Sequence, residues 1–152
     1  MGTDPEIPRS PGTYLLVLHL DRDRTIRVGR LGEFRFPAGH YLYVGGARGP
    51  GGLRARLQRH LRGGARLHWH VDYLRRWATP VEAWYAPGSQ RRECLWQTAL
   101  QTEASLCLPV RGFGASDCCC PAHLFFSPVE QDVGPLLAQA IRSPMLSRLV
   151  LP

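Results

Sequence analysis

The chain has 152 residues, enough for one domain with its own core, and 44% of them are hydrophobic, an ordinary balance for a folded domain. No apolar run approaches the roughly 20 residues of a membrane-spanning helix, and residues 1–11 lack the apolar segment of a secretion signal, so we expect neither a membrane protein nor a secreted one. The 19 basic residues, all arginine, outnumber the 12 acidic ones, and eight lie between Arg48 and Arg76, which favours binding to nucleic acid or another polyanion.

The first third of the chain predicts β-strands. Residues 12–20 are rich in leucine, β-branched and aromatic side chains, as in a buried strand, and residues 25–29 alternate apolar and polar side chains, as in a half-exposed one. A polar turn separates these two segments. The expected strands are Gly12–Leu20, Thr25–Gly29, Phe34–Phe36 and His40–Val44.

An amphipathic helix is predicted over residues 53–61, after a loop of glycine and proline. Leu53, Leu57 and Leu61 recur every four residues and form one apolar stripe. Arg56 and His60 are also four residues apart, so they share a helix face at the border of that stripe. A side chain in this position can be anchored by the core and still reach a ligand.

The second half of the chain predicts further helices and strands. Residues 68–77 predict a helix whose aromatic stripe of Trp69, Tyr73 and Trp77 is more typical of a core than of a base-stacking surface. The remaining expected elements are a strand at Val81–Tyr85, a helix at Arg91–Leu106, a strand at Leu124–Phe126 and a helix at Gly134–Arg142. Together these elements predict an α+β fold.

Two tripeptides combine with these elements into a recognisable pattern. Gly-Thr-Tyr at residues 12–14 opens the first strand, and Tyr-Val-Gly at residues 43–45 closes a later one. With the glycine-rich loop and the helix that carries Arg56 and His60, this arrangement resembles the GIY-YIG nuclease superfamily, with Thr13 in place of the usual apolar residue.

Longer segments are similar to one small, uncharacterised branch of that superfamily, whose members occur alone or appended to endonuclease III-type DNA glycosylases. The similar segments are residues 39–47, 51–60, 68–74 and 112–118. The resemblance covers about residues 11–127 and implies a GIY-YIG-type fold, a sandwich-like arrangement in which helices flank a small, antiparallel-rich sheet. It also implies three parts. They are a polar N-terminal leader at residues 1–11, a GIY-YIG-like nuclease domain at residues 12–127 and a C-terminal extension at residues 128–152.

The resemblance implies a divalent-metal-dependent endonuclease that hydrolyses DNA phosphodiester bonds, in DNA repair or on branched DNA. Related nucleases carry a metal-binding glutamate on a helix after the arginine-bearing one, which assigns Glu93 as the ligand of Mg²⁺ or Mn²⁺. One carboxylate suffices for Mg²⁺, which keeps most of its waters. Glu103 is the other candidate on this helix, but it lies almost three turns from Glu93, so both cannot bind one ion.

The other expected catalytic residues are two tyrosines, an arginine and a histidine. Arg56 would bind the scissile phosphate and offset the charge of the transition state, and His60 would orient a tyrosine or protonate the leaving group. Tyr14 and Tyr43 match the family's tyrosines, and one of them would accept a proton from water only if nearby positive charge lowered its pKa from about 10. Three further arginines are expected to contact the nucleic-acid backbone: Arg48, Arg54 and Arg59.

A second group of residues has the chemistry of metal ligands. Cys118, Cys120 and His123 lie within six residues, and Cys94 could complete a Cys₃His zinc site; the alternative is that the thiols are simply buried. His68 and Asp72, four residues apart, favour a hydrogen-bonded pair. The five cysteines are an odd number and three are consecutive, which favours a reducing cytoplasm over a disulfide framework. If the protein binds DNA as expected, it would associate with the nucleoid there.

Two other functions stay open on the sequence. One is a nucleic-acid-binding module without cleavage activity, in which the Cys/His group holds a structural ion and an associated DNA glycosylase or repair enzyme supplies the chemistry. The other is an RNA nuclease. Convergence of the tyrosines, Arg56, His60 and Glu93 on one cleft would favour the DNA endonuclease.

Overall fold

The computed structural model describes residues 6–64, 66–116, 118–128, 134–141 and 146–151. The strands are β1 Gly12–Leu20, β2 Arg24–Val28, β3 Gly32–Phe36, β4 Gly39–Ala47, β5 Thr79–Pro87, β6 Leu124–Ser127 and β7 Ser147–Val150. The helices are α1 Gly52–Arg62, α2 His70–Arg75, α3 Glu93–Gln101 and α4 Gly134–Ile141. In the part of the chain described, no helix has the length and apolarity needed to cross a bilayer.

A five-stranded antiparallel sheet in the order β6-β4-β1-β5-β7 forms the centre of the molecule, and β2 and β3 form a separate two-stranded ribbon. Strand β1 is central, and because side chains alternate along a strand it contributes to two cores. Leu16 and Leu18 face the core that includes α1 and α2, whereas Leu15 and Val17 face the core that includes α3. The predicted α+β fold is therefore confirmed.

Two of the predicted helices are shorter in the structure. Helix α2 starts at His70 because the Asp72 carboxylate accepts a hydrogen bond from the Trp69 amide, which fixes the helix start. At the other end, Trp77 is 46% exposed and lies against Arg24, so the last member of the predicted core stripe is outside the core.

Helix α3 ends at Gln101, five residues before its predicted end. The chain must be extended at Cys107, because this residue pairs with Phe126 of β6 through two backbone hydrogen bonds of 3.1 and 2.8 Å. A continuous helix to Leu106 would prevent that pairing. Tertiary pairing thus overrides the local helical pattern.

The N-terminal segment contacts the sheet-and-helix body. The backbone oxygens of Pro8 and Ser10 accept hydrogen bonds from the amides of Arg54 and Leu53 in the first turn of α1, at 3.0 and 2.9 Å. These acceptors replace a side-chain cap, which this helix lacks. At the other terminus β7 pairs with β5, so both ends of the described chain contribute to the body of the fold.

The close approach of β1 and β4 requires a residue without a side chain at Gly45. This residue is the register partner of Tyr14, and a Cβ there would overlap the Tyr14 ring and hydroxyl. We expect Gly45→Ala to lower the free energy of unfolding by about 1–3 kcal/mol through overpacking, as measured by urea denaturation. Gly49→Ala is the matched control, since a Cβ at Gly49 meets nothing within 4 Å, and it should change stability by less than about 0.5 kcal/mol. An unchanged Gly45→Ala protein would contradict the packing argument.

Candidate functional site

A cleft of about 720 Å³ opens where the end of β4, α1, the start of α2 and the start of α3 meet. Its walls are polar and carry several arginines and histidines. The lining residues include Tyr43, Gly45, Gly46, Arg48, Arg56, His68, Trp69, His70, Arg91, Glu93, Cys94, Gly114, Ser116, Cys118 and His123. Three of the five predicted catalytic residues, Tyr43, Arg56 and Glu93, therefore share this cleft.

Tyr14 and His60 form a buried pair behind the cleft. Each is 1% exposed, and the Tyr14 hydroxyl lies 2.7 Å from Nε2 of His60. The Tyr43 ring packs on both, with centroids 6.3 Å from Tyr14 and 6.4 Å from His60. The prediction that His60 sits at the border of the helix stripe is wrong in this respect: it points into the core. Its predicted role of orienting a tyrosine is the one that this placement allows.

Burial also changes the acid–base properties of the pair. It raises the pKa of Tyr14 well above its ordinary value of 10, and the positive charge of Arg56 offsets this only in part. The expectation that positive charge makes a tyrosine basic at neutral pH is therefore not met at Tyr14. This side chain is a neutral hydroxyl, suited to hydrogen bonding, and Tyr43 is the tyrosine that reaches the cleft.

The pKa of His60 is lowered from 6.5 to about 4, chiefly by burial. Because the unfolded chain then binds the proton more readily than the folded one, stability is full above pH 6.5 and is lost as the pH falls toward 4. We expect His60 alone to remove about 3 kcal/mol of stability between pH 7 and 4. Urea denaturation at several pH values should show a shallower loss of stability for His60→Gln than for the wild type. Equal slopes for wild type and His60→Gln would contradict the burial argument.

Arg56 reaches the cleft from the middle of α1. Its Nη1 donates a 3.0 Å hydrogen bond to the backbone oxygen of Gly46, and its Cζ lies 4.0 Å from the centroid of the Trp69 ring. A guanidinium has five N–H donors, so the bond to Gly46 leaves donors for an anion in the cleft. This placement agrees with the phosphate-binding role expected from the sequence.

Glu93 lies at the first residue of α3 and reaches across to β4. Its carboxylate rests on the backbone of Gly46, where any Cβ would collide with it, and Oε1 is 3.4 Å from Nη2 of Arg48. The glycine pair at the end of β4 thus makes room for Tyr14 at Gly45 and for Glu93 at Gly46. Glu103, the other candidate, is not among the residues that line the cleft.

The three predicted DNA-contacting arginines all have partners within the chain. Arg48 donates to the backbone oxygens of Gly88 and Gln90, and Arg54 donates to that of Ile7 and to the Glu6 carboxylate. Arg59 binds both oxygens of Asp72, at 2.7 and 2.9 Å. Of these three, Arg48 alone lines the cleft, together with Arg91, which the sequence did not single out.

Asp72 has a different partner from the one that the sequence favoured. The predicted His68–Asp72 pair exists only through the His68 backbone amide, which donates to Oδ2 at 2.8 Å. Although burial acts to raise the pKa of Asp72, hydrogen bonds from Arg59 and from the backbone outweigh it and lower this pKa. Asp72 is therefore an ionised, buried partner of Arg59.

The four predicted zinc ligands come together at the cleft wall, to which Cys94, Cys118 and His123 contribute. One ligand atom from each of Cys94, Cys118, Cys120 and His123 lies within 4.8 Å of the others, and Sγ of Cys118 is 3.2 Å from Nε2 of His123. Burial and the neighbouring thiols raise the pKa of Cys120 to about 12, so this thiol is protonated at neutral pH in the absence of a cation. This Cys/His cluster could hold a metal ion.

Residues 13–146 match the family model described as "Domain of unknown function DUF123". The chain belongs to the DUF123 family. No curated protein and no solved structure matches the chain. The DUF123 match spans every residue of the cleft and of the Cys/His cluster, and it runs past the predicted domain boundary at residue 127.

Proposed function

We propose that this DUF123 protein is a divalent-metal-dependent endonuclease that hydrolyses DNA phosphodiester bonds, in repair or on branched DNA. The observation that carries the proposal is the presence of Tyr43, Arg56 and Glu93 in one polar cleft, with Tyr14 and His60 directly behind. These are the residues that the resemblance to GIY-YIG nucleases assigns to catalysis. The net charge of +7 supports a polyanionic substrate.

The donor set of the cleft suits Mg²⁺ or Mn²⁺. Among the described residues that line it, Glu93 supplies the carboxylate, and a hard cation needs one or two carboxylates, with waters and phosphate oxygens as its other ligands. When bound, such an ion acts as a Lewis acid on the phosphate and favours formation of the attacking hydroxide.

The chain's own residues bind the phosphate, attract the DNA and orient the attacking water. Arg56 binds a phosphate oxygen and stabilises the charge that develops on it, and Arg48 and Arg91 attract the DNA backbone to the cleft. The Tyr43 hydroxyl orients the attacking water. Tyr14, held by His60, supports the Tyr43 ring from behind and keeps it at the cleft surface.

The proposal is tested by incubating the protein with supercoiled, flapped and branched DNA and with structured RNA, each with Mg²⁺, Mn²⁺ or excess EDTA. We expect ion-dependent cutting of DNA that falls at least about 100-fold in Glu93→Gln and is unchanged in the matched Glu103→Gln protein. If folded protein cuts none of the DNA substrates with either ion, the endonuclease proposal is wrong. Cutting of RNA alone would assign the enzyme to RNA.

A second candidate is a nucleic-acid-binding module without cleavage activity, acting beside a DNA glycosylase or other repair enzyme. The 3.4 Å contact between Arg48 and Glu93 favours it, since the guanidinium competes with a cation for the carboxylate. DNA binding without cutting in the experiment above is the result that would support it.

Under either function we propose that the Cys/His cluster binds zinc. Three thiolates and one imidazole form a common tetrahedral ligand set of structural zinc, with Zn–S bonds of about 2.3 Å that place the sulphur atoms roughly 4 Å apart. The 4.8 Å limit on the ligand-atom separations is close to that geometry. The five cysteines are free, and we propose the reducing cytoplasm as the location of the protein.

A further inference from the structure

Trp69 contacts the guanidinium groups of two neighbouring arginines on α1. Its ring centroid lies 4.0 Å from Cζ of Arg56 and 4.3 Å from Cζ of Arg59, distances at which a guanidinium is attracted to the face of an indole. Arg56 and Arg59 are three residues apart, so their side chains emerge side by side from the helix. The ring therefore stabilises two positive charges that would otherwise repel each other at the edge of the cleft.

Asp72 holds two of the groups in this contact, the Arg59 guanidinium and the backbone of Trp69. Its carboxylate is buried, with 6% exposure, and accepts two hydrogen bonds from Arg59 at 2.7 and 2.9 Å. It also accepts hydrogen bonds from the backbone amides of His68 and Trp69, both at 2.8 Å. One carboxylate thus holds Arg59 and the backbone of Trp69 in a single arrangement, which limits the positions that the indole can take.

Arg56 is the member of this group that reaches the cleft. It is tied to β4 by the hydrogen bond to Gly46 and to α2 by the Trp69 ring. Two contacts in different directions restrict a long side chain that would otherwise lose rotamer entropy on binding a phosphate.

We propose that Trp69, held by Asp72, is a positioning residue that fixes the Arg56 guanidinium for phosphate binding. The inference rests on the proposed function, in which Arg56 binds the phosphate group. Trp69 does not itself bind substrate. Its aromatic face contacts the Arg56 guanidinium, whereas the face of a base-stacking residue would contact a nucleic-acid base.

The contact can be tested without any substrate, by NMR of the arginine Nε–Hε groups. A guanidinium at this distance over an indole experiences its ring current, so we expect an upfield-shifted Arg56 signal, assigned by its loss in Arg56→Lys. Trp69→Leu should move this signal to the ordinary arginine region and Trp69→Phe should keep part of the shift. The matched control is Trp77→Leu, which removes another arginine–tryptophan contact, that of Arg24 at 4.4 Å. An Arg56 signal unaffected by Trp69→Leu would overturn the proposal.

Cleavage kinetics on the best DNA substrate then test the positioning role. We expect Trp69→Leu to lower kcat about tenfold with KM changed less than about twofold, Trp69→Phe to recover most of the rate, and Trp77→Leu to match the wild type. In an Arg56→Lys background Trp69→Leu should add little, because the two residues act together. Full activity of Trp69→Leu, or additive losses in the double variant, would overturn the proposal. If the wild type cuts nothing, the endonuclease proposal fails while the NMR result still decides whether Trp69 positions Arg56.

Discussion

Arg56→Ala is expected to lower kcat for DNA cleavage by about 10²- to 10³-fold, the usual cost of removing one donor that stabilises transition-state charge. Arg56 is the cleft arginine of α1, held by Gly46 and Trp69, so the space left by alanine has no other guanidinium in the same position. Arg56→Lys should recover only a small part of the rate, because an ammonium cannot reproduce the planar fork of donors. Single-turnover cleavage with saturating Mg²⁺ measures the effect.

The matched control for this variant is Arg62→Ala. Arg62 is an exposed arginine at the end of the same helix, so its loss removes one charge without touching the cleft. We expect its cleavage rate to stay within about twofold of the wild type, with melting temperatures alike for both variants. Equal rates for Arg56→Ala and wild type would show that the phosphate is bound elsewhere.

Cys94→Ser is expected to release the metal ion from the Cys/His cluster and to destabilise the protein strongly. Binding of a structural zinc ion contributes directly to folding, so we expect the free energy of unfolding to fall by about 3–5 kcal/mol, which lowers the melting temperature by roughly 10 °C or more. Zinc content measured on the purified protein should drop from one ion per chain to well below one. Calorimetry of the same samples gives the melting temperatures.

Cys107→Ser and Cys119→Ser are the controls for that experiment. Both cysteines are exposed and neither belongs to the cluster, so their serine variants should retain one zinc ion and the wild-type melting temperature. Replacing zinc by Co²⁺ should give the absorption bands of a tetrahedral thiolate site in these controls but not in Cys94→Ser. A wild-type protein that binds no zinc when refolded with it would refute the assignment.

Six of the seven strands in the described residues could be predicted from sequence because their signals are local, whereas β7 was not predicted. The run of leucine, aromatic and β-branched residues in β1 fixes that strand without reference to the rest of the chain. Strand β4, in contrast, continues to Ala47, through the glycine pair that was predicted to end it. The Cys/His cluster could also be predicted from sequence, since cysteine and histidine are typical metal ligands. Cys94, which is distant in sequence from the other three predicted ligands, is confirmed to lie beside them.

The remaining features depend on how helices dock, which no local pattern specifies. The spacing of Arg56 and His60 places them on one face of α1, but only the packing of α1 on β1 buries His60 against Tyr14. The pairing of Arg59 with Asp72 likewise requires α1 and α2 to meet. The aromatic stripe predicts that Trp69 is a core residue. Its contacts with the guanidinium groups of Arg56 and Arg59 could not be predicted, because they depend on how α1 and α2 pack together.

Glu93 and Cys94 are consecutive residues that both line the cleft, and Cys94 also belongs to the Cys/His cluster. Adjacent Cα atoms are about 3.8 Å apart, so a rigid shift of the first turn of α3 displaces both side chains together. Inserting a single residue between them would rotate one relative to the other by about 100° about the helix axis and separate the two sites. The start of α3 therefore has almost no freedom to vary in length, although it lies at the surface and follows a loop.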